Sequence, residues 1–208
     1  MRLFSRLVFV ALLSGCAIGN QYDYQSSSIS LPIKATQNAG LILSVQDFRP
    51  YVLNGSKPAN FVGLQRGGFG NPFAVTTSSG KPLAEDMAIA IARALSEVGY
   101  RVQTVPGALA LQDLSAEAQA SAASRIVLLK VNEWKSDIFM SITVLCDMTL
   151  KILTPAGAEL AENSMKFDEE IGGAQMGGSK NSAAVSKEFS KRIGYLFNKE
   201  EIRAALSL

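Results

Sequence analysis

Ile138-Phe139-Met140-Ser141-Ile142-Thr143-Val144-Leu145-Cys146-Asp147-Met148-Thr149-Leu150-Lys151-Ile152-Leu153 carries the most regular pattern in the chain. Ile138, Met140, Ile142, Val144, Cys146, Met148, Leu150 and Ile152 alternate with Ser141, Thr143, Asp147, Thr149 and Lys151. Phe139, Leu145 and Leu153 break the alternation. A repeat of two sends successive side chains to opposite faces, so the spacing predicts one long, half-buried strand. Downstream, Thr154-Pro155-Ala156-Gly157 reads as a turn, and Ala158 to Phe167 as an antiparallel partner whose weaker alternation suits a sheet edge. Upstream, Ile126-Val127-Leu128-Leu129 is apolar on both faces, as a central strand requires. Trp134 and a turn near Lys135-Ser136 separate it from the long strand.

Helices flank this group. Pro82 to Val98 carries Leu83, Met87, Ile91, Leu95 and Val98 on one stripe. Glu85 and Asp86 lie in its first turn, where the dipole favours negative charge, and Gly99 supplies a left-handed stop. Tyr100 to Val105 follows as a short strand, Pro106-Gly107 turns, and alanine-rich Leu114 to Ser124 reads as a weaker helix. Ser182 to Phe197 is a second amphipathic helix striped by Val185, Phe189, Ile193, Leu196 and Phe197. A glycine-rich link (171–180) precedes it, and Asn198 caps a short helix that docks through Ile202 and Leu206. Nearer the start, Gly40 to Phe48 reads as a strand ended by Arg49-Pro50. Residues 50–80 form a long irregular stretch, broken by short strands at Phe61-Val62 and Phe73-Ala74-Val75. The expected fold class is α+β: a mixed, largely antiparallel sheet with helices packed on one face, preceded by a signal peptide and a flexible tether.

The first residues have a different character. Arg2 and Arg6 precede the apolar run Leu7 to Leu13, which is too short to cross roughly 30 Å of hydrocarbon as a helix. It suits the apolar segment of an export signal. The residues that follow, Leu13-Ser14-Gly15-Cys16, resemble the lipobox of bacterial lipoproteins. That resemblance implies a diacylglycerol on the Cys16 sulfur, cleavage before Cys16 and acylation of the new amino terminus. Two or three acyl chains make a durable anchor where one does not. The rival reading is a plain secretory signal with a chance cysteine at its end. Ala17 lacks the aspartate that favours inner-membrane retention in enterobacterial lipoproteins, which implies an outer-membrane address. The expected organisation is 1–15 signal peptide, 16–39 lipidated terminus and tether, and 40–208 a single periplasmic α/β domain.

Composition narrows function. Hydrophobic residues make up 48% and charged residues 18%, enough for a globular core. The net charge is +2, and removing Arg2 and Arg6 leaves 18 basic against 18 acidic side chains. A formally neutral mature chain lacks the basic stripe that nucleic acid demands. There is no histidine, so the commonest general base and metal ligand are missing, and neither a cofactor nor a metal is expected.

Several residues are candidates for a site. Asp47 and Arg49 project on one side at a strand end, where a ligand contact competes with a local ion pair that organises the loop; the ion pair is the expected role. Gly63-Leu64-Gln65-Arg66-Gly67-Gly68-Phe69-Gly70 lacks the lysine and spacing of a phosphate-cradling loop. It reads instead as a flexible lip bearing two exposed aromatics, Phe61 and Phe69. Asp47, Arg49, Phe61, Arg66 and Phe69 together form the expected partner surface. Cys146 reads as a buried small hydrophobe, and Asp168-Glu169-Glu170 as a solvated strand end. Ser56-Lys57 and Ser186-Lys187 lack Ser-x-x-Lys spacing.

The lipobox, the strand ending in Asp47-x-Arg49-Pro50, the Gly63-Leu64-Gln65-Arg66 stretch, the helix ending in Gly99-Tyr100 and the strand pair with its Pro-Ala-Gly turn resemble the YajG-type lipoproteins of Gram-negative bacteria. The resemblance covers most of residues 40–206 and implies an envelope α/β lipoprotein with no established activity. The expected role is a non-catalytic binding or assembly module, held to the membrane through Cys16 and touching another envelope protein. The alternatives are an auxiliary lipoprotein of an envelope transporter that carries an apolar ligand between helices and sheet, and a hydrolase working without histidine.

Overall fold

The computed structural model describes residues 20–35, 39–175 and 178–207. The segment read as an export signal and Cys16 lie outside them. The described residues form eight strands and five helices.

The alternating stretch builds the sheet. Strand β7 (Ser141–Leu153) buries every second residue, from Ile142 through Ile152, and pairs antiparallel with β6 (Arg125–Ile138) and β8 (Glu159–Gly173). β8 is the edge, as its weak alternation predicted. β6 runs further than expected. Lys135 and Ser136 stay in the strand, and the chain turns at Phe139-Met140 instead. β6 also changes neighbours along its length: residues 125–131 pair with β2 (Gly40–Asp47), and after a register shift between Val131 and Glu133 residues 136–138 pair with β3 (Phe61–Arg66). Both pairings are parallel. β3 continues antiparallel into β4 (Pro72–Thr77), so the stretch taken as irregular is largely a hairpin, led by the short helix α1 (Pro50–Leu53).

β5 (Arg101–Val105) lies parallel to β2 on the side away from β6. From β2 the chain passes through α1, the β3–β4 hairpin and α2 (Leu83–Glu97) to β5, then back across β2 to β6 through α3 (Leu111–Ala120). Crossovers of one hand that step in opposite directions put their helices on opposite faces. The larger core packs α2, α4 (Gly178–Phe197) and α5 (Glu200–Leu206) on one face, as expected, around Leu43, Val127, Trp134, Met148 and Phe189. α3 adds a smaller cluster on the other face, with Ile42, Leu114, Ala118, Ile126, Leu128 and Leu153. Gly99 takes φ 104° and ends α2 as predicted. Lys199, not Asn198, is the residue preceding α5, and no side chain caps it.

The polar stretch read as tether is folded from Gln21 to Leu31. β1 (Gln21–Tyr22) pairs parallel with β4, and Tyr22 and Tyr24 are completely buried. Their hydroxyls are satisfied inside: Tyr22 exchanges a 2.8 Å hydrogen bond with Ser136, and Trp134 Nε1 donates to the Tyr24 oxygen at 3.0 Å. Tyr24 and Trp134 each meet the Phe189 ring edge-on, at 5.3 and 5.8 Å. Ser182 and Ser186 of α4 donate to the carbonyls of Gln21 and Asp23, and Arg93 of α2 donates to that of Ser27. Polar residues alternate with the tyrosines on the solvent side, which is what made this strap look unstructured.

Candidate functional site

Three features cluster the residues singled out by sequence. The first is a clasp at the end of β2. Asp47 ends the strand and Arg49 precedes α1, so the two carboxylate oxygens meet the guanidinium face on, with Nε to Oδ1 at 2.8 Å and Nη2 to Oδ2 at 2.7 Å. Nη1 donates to the Phe61 carbonyl at 2.5 Å and Nη2 to the Ala59 carbonyl at 2.9 Å. Arg49 is wholly buried. Burial opposes its charge, and the bonds to Asp47 more than offset that, so the guanidinium sits above its ordinary pKa. The Tyr51 ring lies 5.6 Å from the guanidinium carbon and packs edge-on against Phe61; its hydroxyl donates to Glu133 Oε1. Burial pushes the Tyr51 phenol up. The clasp is structural: it ties the entry of β3 to β2, the local role expected of the ion pair. Arg49 and Phe61 are therefore not surface residues, because the arginine's remaining donors draw the backbone around Phe61 inward. Phe61 is 3% exposed.

The second feature is an open cleft of about 1120 Å³ outside the carboxyl ends of β2 and β5, the place where parallel α/β sheets bind ligands. The loop 106–110 crosses it. Gly107 lies so close to the Val45 carbonyl that a Cβ would overlap it, and Gln46 Nε2 donates to the Leu109 carbonyl at 2.9 Å. The first turns of α2 and α3 form the flanks, with Phe48, Leu53 and Leu111 exposed at the rim. Of the charged side chains around it, Glu85 pairs with Lys81, Asp47 with Arg49, and Lys151 with Glu159 and Glu162. Lys130 Nζ stands 5.6 Å from the Phe48 ring centre. The bonds from Glu159 and Glu162 hold the Lys151 ammonium above its ordinary pKa. Among the described residues no group of three or more metal-ligating side chains occurs. The space between helices and sheet, which the alternative transporter reading gave to an apolar ligand, is filled by core side chains; the cleft lies at the strand ends instead.

The third feature lies a strand's length away. β3 and β6 run parallel and finish level, with Gln65 opposite Ile138, so the β3–β4 turn and the β6–β7 turn emerge side by side. Arg66 and Asp137 join them through two bonds, Nε to Oδ1 at 2.8 Å and Nη2 to Oδ2 at 2.6 Å. Phe69 on one turn is fully exposed, and Phe139 and Met140 on the other are 48% and 81% exposed. The sequence-predicted surface is thus divided: Asp47, Arg49 and Phe61 make the buried clasp, while Arg66 and Phe69 belong to this rim. Phe139 and Met140 were missed because they were counted into the long strand. Phe139, as a break in the alternation, was the available signal.

Cys146 is buried in β7, and burial pushes its thiol up to about 12. Glu169 accepts from Arg192 at 2.6 Å. No helix among the described residues is long and apolar enough to cross a membrane.

No protein-family model matches the chain, and no curated protein does. Among solved structures, protein XCC0632 from Xanthomonas campestris, which carries the family model DUF330, is similar over 85% of this chain and 95% of its own, at 10% identity and TM-score 0.51. A PelC dodecamer from Paraburkholderia phytofirmans matches 82% of this chain and 95% of its own, at 13% identity and TM-score 0.45. Lipoprotein GNA1162 from Neisseria meningitidis matches 76% of this chain and 99% of its own, at 13% identity and TM-score 0.41. The likeness to the Xanthomonas protein is one of fold. The two lower scores support no inference.

Proposed function

We propose that this chain is an envelope lipoprotein of the YajG kind: a non-catalytic binding or assembly module, held to the outer membrane by acyl chains on Cys16, its folded part in the periplasm. The observation that carries the reading is Leu13-Ser14-Gly15-Cys16 directly after the apolar run 7–13, behind two arginines. Acyl chains contribute about 0.8 kcal/mol per buried CH₂, so two or three hold a domain whose formally neutral charge gives it little electrostatic attraction to lipid. The missing histidine and the paired charges around the cleft favour binding over catalysis. Mass measurement of the mature amino terminus tests this. The expected product begins at an acylated Cys16; a chain beginning elsewhere, or with a free Cys16 thiol, contradicts it.

The apolar cleft at the strand ends favours a second reading, an auxiliary transporter lipoprotein that binds an apolar ligand there. Native mass spectrometry of the purified protein is expected to show a bound lipid in that case, and a clean protein mass removes the idea.

A further inference from the structure

We propose that the rim formed by Phe69, Phe139 and Met140 enters the headgroup region of the bilayer that holds the Cys16 anchor, fixing which end of the domain faces the lipid. This rests on the reading of Cys16 as acylated.

The rim is apolar without serving the fold. Gly67, Gly68 and Gly70 already give the β3–β4 turn its freedom, and Phe69 is fully exposed at its tip. The β6–β7 connection is a two-residue turn, a place for Asn-Gly or Asp-Gly, yet holds Phe139-Met140. The two bonds from Arg66 to Asp137 keep both tips together as one patch. A cluster of exposed apolar side chains on a protein surface marks a contact with something apolar.

The position of the chain's start says what that is. β1 is parallel to β4 with Gln21 opposite Thr76, so the chain upstream of Gln21 comes from the direction of Pro72, where the β3–β4 turn lies. Asn20 donates its side-chain amide to Gln65, the residue opposite both Phe73 and Ile138, next to both turns. Three residues separate Cys16 from Asn20, and the four Cα-to-Cα steps between them span at most about 14 Å. An acylated Cys16 therefore keeps lipid within that distance of the end of the sheet that carries the rim. The cleft, with Leu53 and Leu111, lies outside the carboxyl ends of β2 and β5, and β6 runs on past its pairing with β2 from residue 132 to 138 before it reaches the rim, which sets the cleft back from the lipid by about 20 Å. With 18 basic and 18 acidic side chains after the signal, attraction to anionic lipid adds little, so the contact is apolar and insensitive to salt.

The test uses full-length acylated protein carrying Phe69→Trp, reconstituted into phosphatidylcholine vesicles brominated near the headgroup end of the acyl chains. The chain's own Trp134 is wholly buried and serves as background. Interfacial apolar side chains reach roughly 5–10 Å into the headgroup–acyl boundary, so the introduced indole is expected to shift to the blue and lose at least about half its emission, equally in low and high salt. Met140→Trp is expected to behave alike, and Leu53→Trp to be unquenched. Acylated, vesicle-bound protein with unquenched indoles at both rim positions overturns the rim while leaving the anchor standing. A mass showing no acyl chains overturns both.

Discussion

Replacing Arg49 by methionine is the sharpest test of the folded framework. The side chain is wholly buried and makes four side-chain hydrogen bonds, two to Asp47 and one each to the carbonyls of Ala59 and Phe61. Methionine fills most of the volume and removes every donor. It leaves a carboxylate only 14% exposed with the residue-49 backbone N–H as its remaining donor, and takes a donor from each of two carbonyls, of which that of Ala59 keeps the Leu83 N–H. Removing one member of a buried pair costs about 3–5 kcal/mol, most of it the stranded partner. With a urea slope of about 2 kcal/mol/M for a domain of this size, the midpoint falls by roughly 1.5–2.5 M. The assay is equilibrium urea unfolding of the mature chain carrying Cys16→Ser, followed by Trp134 fluorescence. The pair Asp47→Leu with Arg49→Met is expected to lose less than the sum of the two singles, because neither charge is then stranded. A shift under about 0.5 M for Arg49→Met refutes the clasp, since surface ion pairs are worth only about 0–1 kcal/mol.

Three further outcomes follow from the packing. Phe189→Ala removes the ring that Tyr24 and Trp134 both meet edge-on, and is expected to cost about 3–5 kcal/mol and flatten the near-ultraviolet circular dichroism; an unchanged spectrum counts against the strap lying in the core. Cys146, its thiol raised to about 12, is expected to resist thiol reagents at pH 8 until the protein unfolds. Its burial favours folding below the ordinary thiol pKa, and that contribution is lost as pH climbs toward 12, so stability should fall with rising pH above about 9; rapid native-state labelling contradicts this. Gly107→Ala forces the loop 106–110 off the Val45 carbonyl, with an expected loss of about 1–3 kcal/mol and faster amide exchange in that loop; a neutral result means the loop does not seal over β2.

The elements whose own periodicity is strong are those legible in the sequence. β7 shows its period of two because one face is buried throughout, and α2 and α4 show their stripes because a single face of each meets the sheet. What escaped depends on partners distant in the chain. Tyr22 and Tyr24 sit among Gln, Asp and Ser, and only Ser136 and Trp134, more than a hundred residues away, make their burial favourable. Lys135-Ser136 looks like a turn locally, but Ser136 is held in β6 between Gly63 of β3 and Val144 of β7. The real turn at Phe139-Met140 has no turn chemistry at all. Phe61 was expected outside because the Gly-rich residues near it are; the Arg49 bond to its carbonyl spans twelve residues and leaves no local mark. At the site, Asp47 with Arg49 was legible because a spacing of two on a strand end brings the side chains together. The division between clasp and rim was not, because it depends on β3 pairing with β6.

Membrane fractionation of Cys16→Ser against the unchanged protein bears most directly on the central reading. With acyl chains on that sulfur as the anchor, the unchanged protein sediments with outer membranes and the serine variant is released to the soluble fraction, still folded by its Trp134 emission. A serine variant that stays with the membranes to the same extent contradicts it.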